Sequence, residues 1–149
     1  MTIYLALKVV HILAAIVAVG GNLTYSFWLP RAGRDRDRLI WTLENVHRFD
    51  RAIANPAYIA LLVTGIAMVV ALPWSFERLW LALALALYVG VAVLGITVYA
   101  PTIRRQVAEA ERDPESVDYA RIAARSNALG ILTTAIVVVI VVLMVTKPG

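Results

Sequence analysis

The sequence predicts an all-α integral membrane four-helix bundle with short cytoplasmic helical extensions, and three observations lead there. The 149-residue chain is 61% hydrophobic with a mean hydropathy of +0.78, where soluble domains are nearer half apolar. Four apolar stretches are each close to the length of about 20 residues that carries a helix across a bilayer. None shows the alternation of a barrel strand, and in lipid only helices or closed barrels satisfy their own backbone.

The first span is read as Ile3–Trp28. Tyr4, Lys8, His11, Ala15, Ala18, Asn22 and Tyr25 follow steps of three and four and form one polar or small stripe. Val9, Ile12, Leu13, Ile16, Val17, Val19 and Leu23 form the opposite, lipid-like face. The polar stripe therefore faces the bundle, where Ala15, Ala18 and Gly21 let a neighbour or a flat ligand approach. Lys8 and His11 are the anomaly within it. Ionisable groups in hydrocarbon cost several kcal/mol and mark functional positions.

The second span is read as Ala52–Leu72. Leu39, Leu43 and Val46 give Arg38–Arg51 a helical period, so this helix is expected to begin before the membrane, with a break or kink at Asn55-Pro56. Ala57, Ala60, Thr64, Gly65 and Met68 share its inner side. The third span, Leu79–Ala100, places Trp80, Ala84, Tyr88, Gly95 and Tyr99 together. The fourth, Ala128–Val145, is preceded by a turn at Asp113-Pro114-Glu115, with Pro114 expected near the first position of another helical stretch. Asn127, Gly130, Thr134 and Val138 form its inner stripe. The whole is one domain.

Charge sets the expected orientation. Eleven of the 14 basic residues lie in the connections Pro30–Arg51 and Pro101–Ser126. The positive-inside rule assigns these connections to the cytoplasm and both termini to the outside of the inner (plasma) membrane. Trp28, Trp74 and Trp80 suit interfacial anchoring. The N-terminus carries no recognisable cleavable signal. The net charge of +4 reflects topology and does not point to nucleic acid.

Several chemistries are disfavoured. The absence of cysteine removes disulfides, thiolate sites and iron–sulfur clusters. Two distant histidines and three methionines do not make a zinc or copper ligand set. No Gly-rich phosphate loop, Ser–His–Asp grouping or intramembrane carboxylate pair is visible; every acidic residue is read as lying in a connection. His11 stands out as a site. As a neutral imidazole it suits axial ligation of haem, a flat apolar group that bundles house between helices. It suits equally a structural hydrogen bond across the bundle. Lys8 could meet a propionate or snorkel outward. Met68 and Met144 are candidate sixth ligands, and a five-coordinate iron is equally consistent. Tyr88 is a candidate cofactor contact. His47 lies beyond reach: His11 to Trp28 alone spans roughly 25 Å of helix.

Three runs together resemble the HemJ-type protoporphyrinogen oxidases. They are Lys8-Val-Val-His11-Ile with Gly20-Gly21 and Leu29-Pro30-Arg31; Asn55-Pro56-Ala57 with Thr64-Gly65; and Arg125-Ser-Asn127 leading to Lys147-Pro148. Copper-resistance D membrane domains share the same general look. The resemblance implies a small, often oligomeric membrane protein that binds haem b, with His11 matching the family's first-helix ligand and Asn127 a further position at the cofactor. It also implies oxidation of protoporphyrinogen IX. The sequence departs from the pattern in Ala32–Arg36, which lacks a second histidine, in Leu79–Ala100, which lacks a lysine, and at Ala128, where an acidic residue is expected. These departures bear on the oxidase activity more than on haem. The expectation is a haem-b-binding protein with a redox, electron-transfer or small-ligand role, homo-oligomeric in a lipid bilayer. The alternatives are the oxidase itself and a cofactor-free bundle that transports or binds a partner.

Overall fold

A computed structural model describes residues 3–33, 35–71 and 78–148, apart from the side chain of Ser26. The described residues form an all-helical integral membrane four-helix bundle. The helices are α1 (Ile3–Ala32), α2 (Arg36–Phe49), α3 (Asn55–Ala71), α4 (Leu79–Leu94), α5 (Ala100–Arg112) and α6 (Val117–Thr146). The aromatic turn containing Trp74 lies outside the described residues.

Helices α2 and α3 are one continuous rod, as are α4 and α5. At about 1.5 Å per residue, rods of 36 and 34 residues overshoot a hydrocarbon core of roughly 30 Å. The overshoot is α2 and α5, which project from the arginine-rich end as expected for α2. The fourth helix is also longer than its apolar stretch and runs unbroken from Val117.

Neither proline breaks its rod. A proline ring crowds the carbonyl four residues back and donates no N–H. Both rods relieve this by widening into a π-helical turn just ahead of the proline. Asp50–Ala54 closes with Asn55 N–H to the Asp50 carbonyl, before Pro56. Gly95–Tyr99 closes with Ala100 N–H to the Gly95 carbonyl, before Pro101. The break expected at Asn55-Pro56 is therefore an expansion of the helix. Pro114 lies in the α5–α6 turn, and Ser116 is the α6 cap, its hydroxyl accepting the Tyr119 N–H at 3.1 Å. Ser116→Ala is expected to cost about 1 kcal/mol, read as a lower midpoint of detergent-micelle unfolding.

The densest apolar core is outside the spans. Ala32, Leu39, Leu43 and Ala110 are buried together, with Leu29, Ile40, Val107 and Tyr119 against them. Water surrounds this end, so the hydrophobic effect drives burial there. Arg36 fastens α2 to α5 by donating from Nε and Nη2 to the Glu111 carbonyl at 3.0 and 2.5 Å, which places a cation on the last turn of α5. Within the spans the apolar side chains instead face outward. Ile16, Ile59, Val70, Ile96 and Val145 are all more than half exposed, as lipid contact requires.

Small residues let the spans approach. Helix α1 packs chiefly on α3, and α4 on α6. A Cβ on Gly21 would stand 2.8 Å from Phe49 Cε1, and one on Gly65 3.3 Å from His11 Cε1. The inner stripe of α1 is seen as expected: Ala18 and Tyr25 are buried, while Val9, Ile12, Leu13, Ile16, Val17 and Leu23 are exposed. Trp80 is buried on the inner stripe of α4, in its first turn, its ring beneath Lys147 Nζ at 5.8 Å. One expectation fails. On α6, Asn127 and Val138 face outward and Ser126 is buried instead.

Candidate functional site

His11 is half-buried on the inner stripe of α1 and meets α3 directly. Its Nδ1 lies 2.9 Å from Thr64 Oγ1. The direction of that bond follows from counting protons. The Thr64 hydroxyl has one, and donates it within its own helix to the Ala60 carbonyl at 2.6 Å. Thr64 Oγ1 must then accept from His11 Nδ1–H. A neutral His11 accordingly carries its unshared pair on Nε2. Gly65 allows the approach, since its missing side chain leaves room for the imidazole edge. Helical period, a hydroxyl one turn from a carbonyl and a glycine beside it together position one ring nitrogen as a potential ligand or proton acceptor.

The other expected site residues are distributed unevenly about this centre. Lys8 is one turn nearer the membrane surface and exposed. The His11–Thr64 contact fixes the register of α1 on α3, so Met68 stands about 6 Å further toward that same end. Met144 is half-buried near the end of α6. Tyr88 is deeper, and its hydroxyl donates to the Tyr58 carbonyl at 2.6 Å, tying α4 to α3. Asn127 is near the arginine-rich end and exposed. Neither Tyr88 nor Asn127 is brought to His11. His47 lies on α2 at the arginine-rich end, its Nε2 3.3 Å from Arg51 Nη2. Among the described residues no three His, Cys, Asp or Glu side chains converge as a metal group.

A second polar cluster was not expected. Asp50 belongs to the π-helical turn, where its carboxylate accepts a hydrogen bond from the buried Tyr25 hydroxyl. Phe49 packs edge-on against the Tyr25 ring, with centroids 6.2 Å apart. Asn22 Nδ2 donates to the Tyr58 hydroxyl at 2.5 Å, one turn deeper along α1. Asp50 lies in the Pro30–Arg51 connection, in the stretch expected to be helical, and its carboxylate points at α1. The signal was present in the spacing: Leu39, Leu43, Val46, Asp50, Ala54 and Ala57 recur every three or four residues, and the carboxylate stands on that inward stripe.

A family model described as a predicted integral membrane protein (DUF2269) matches residues 5–148, which is nearly the whole chain and all four spans. No curated protein and no solved structure matches.

Proposed function

The chain belongs to the DUF2269 family of predicted integral membrane proteins, and we propose that it binds haem b with His11 as an axial ligand. One observation carries this reading. The Thr64 hydroxyl orients His11 in the Nδ1–H form, which leaves the Nε2 pair for iron. Ligating histidines use such a partner on the other ring nitrogen. Lys8, exposed one turn away, suits a propionate. The short motifs shared with HemJ-type oxidases support the same assignment. Bound haem supplies a one-electron redox centre, or an open iron position for a small diatomic ligand. The protein's own part is to hold the imidazole neutral and oriented in an apolar environment, with Met68 or Met144 as the available second donor. The arginine-rich end faces the cytoplasm and both termini face outward. Self-association would cover part of the exposed apolar surface of the spans.

A second reading has its own support. Thr64 and Gly65 already account for His11 as a packed, hydrogen-bonded residue, as in a cofactor-free bundle. The absorption spectrum of protein purified in detergent after expression with ample haem separates the two. A Soret band supports haem binding, and a colourless folded protein overturns it. Rescue of a strain lacking protoporphyrinogen oxidase would narrow the redox role to that oxidation. Thr64→Val removes the hydroxyl acceptor for Nδ1–H at nearly constant volume. Titration of apoprotein with haemin should then show 10- to 100-fold weaker binding. Unchanged affinity would assign the His11–Thr64 contact to packing.

A further inference from the structure

A cleft of about 220 Å³ opens where the α4–α5 rod passes α6, lined by Thr97, Val98, Pro101, Thr102, Arg105 and Arg125. Its two guanidiniums come from different helices, 20 positions apart in sequence. Among the described residues neither Arg105 nor Arg125 has a hydrogen bond or ion pair. Asp118, two turns before Arg125 on α6, pairs with Arg121 at 3.4 Å, and Glu109, one turn along from Arg105, makes no ion pair with it. Two unneutralised guanidiniums around one cavity form a donor set for an oxyanion.

The remaining lining defines the anion further. Thr97 and Thr102 donate their hydroxyl protons to the carbonyls of Val93 and Val98, each at 2.7 Å. Their oxygens therefore offer lone pairs only. Pro101 contributes no N–H, so the π-helical turn before it lacks one amide donor for its carbonyls. The cleft thus combines strong cationic donors with neutral acceptors. Such a set suits a phosphodiester whose headgroup also carries hydroxyls.

Depth selects the source. The apolar run Leu79–Ala100 spans about 33 Å, the thickness of the hydrocarbon core with a small excess. Arg105 follows it by five residues, and Arg125 precedes the apolar run at Ala128 by three. Both guanidiniums stand at the level of lipid phosphates. Basic pockets between spans at this depth hold anionic headgroups. We propose that Arg105 and Arg125 bind the phosphodiester of an anionic, hydroxyl-bearing glycerophospholipid in this cleft, independently of His11.

The test is a titration of the full detergent-purified chain with soluble short-chain phosphatidylglycerol, followed by native mass spectrometry. Phosphatidylcholine of equal chain length and inorganic phosphate are run in parallel. One phosphatidylglycerol per chain is expected, with preference over phosphatidylcholine. Arg105→Gln/Arg125→Gln should weaken it about 30-fold, from two charges each worth roughly fivefold. Arg104→Gln/Arg112→Gln should leave it unchanged. Both cleft arginines are exposed, so the variant's helicity should match wild type, and the lipid preference of the wild type is an independent reading. Equal binding of the two lipids, or unchanged affinity in the cleft variant, overturns the site. Inorganic phosphate binding as tightly as the lipid overturns its assignment to a membrane lipid.

Discussion

Replacing His11 by alanine is expected to abolish the Soret absorbance of the purified protein while costing no more than about 2 kcal/mol of stability. The two effects separate because of how the protons are placed. The Thr64 hydroxyl donates to Ala60, not to His11, so that bond survives the substitution. The fold loses one accepted hydrogen bond and the ring contact with Gly65. Nothing buried is left holding an unused proton. On the proposed haem reading, the iron would lose a ligand that no neighbour replaces. Met68 is a full turn away on the same face of α3, and His47 is at the other end of the bundle. His11→Gln sharpens the comparison: its amide can still donate toward Thr64 but is not expected to ligate. Both variants should be colourless and folded. A His11→Ala protein that keeps its Soret band would place the ligand elsewhere. One that loses both colour and fold would make His11 a structural pin.

The spans and their inner faces were legible because lipid imposes a simple code. Apolar side chains face out and small or polar ones face in, so the α1 stripe from His11 to Tyr25 could be read from spacing alone. The code weakens beyond the bilayer. Asp50 sits on the inward stripe of its rod, yet as an acidic residue beside Arg48 and Arg51 it reads as part of a solvated connection. Its burial depends on Tyr25, 25 residues away, and on a π-helical turn that no local signal announces except the proline that follows. Pro56 and Pro101 speak for breaks by propensity; continuity wins because a widened turn removes the clash while keeping the rod packed. Trp80 fits two readings at once, an inner stripe and an interfacial anchor. Interfacial tryptophans are common, but a ring at the start of α4 also meets the end of α6, where Lys147 lies over it. At His11 the candidate partners Thr64 and Gly65 were identifiable as a stripe. Their pairing needed the register of α1 on α3, which sequence does not supply. Tyr88 and Asn127 show the same limit: their depth relative to His11 became visible only with the helices assembled.

Tyr25→Phe is expected to destabilise the protein by about 3 kcal/mol, measured by denaturant unfolding in mixed micelles. The substitution keeps the ring and its edge contact with Phe49, so the lost hydroxyl is the only change. Tyr25 is 7% exposed, and its hydroxyl is the donor that offsets the desolvation of the half-buried Asp50 carboxylate. Removing the donor leaves a charged acceptor facing an apolar ring. An unsatisfied charged group costs more than the hydrogen bond contributed. Asp50→Asn should be milder, within about 1 kcal/mol, because its amide oxygen still accepts from Tyr25 and carries no charge to desolvate. Tyr25→Phe/Asp50→Leu should recover much of the Tyr25→Phe loss, since both polar partners are then gone. That non-additivity is the decisive quantity. With Asp50→Leu alone as the other corner of the cycle, a double variant whose loss equals the sum of Tyr25→Phe and Asp50→Leu would show that hydroxyl and carboxylate do not depend on each other. A strong positive coupling would establish Asp50 as a carboxylate held inside the bundle by one tyrosine, at the point where the π-helical turn brings it against α1.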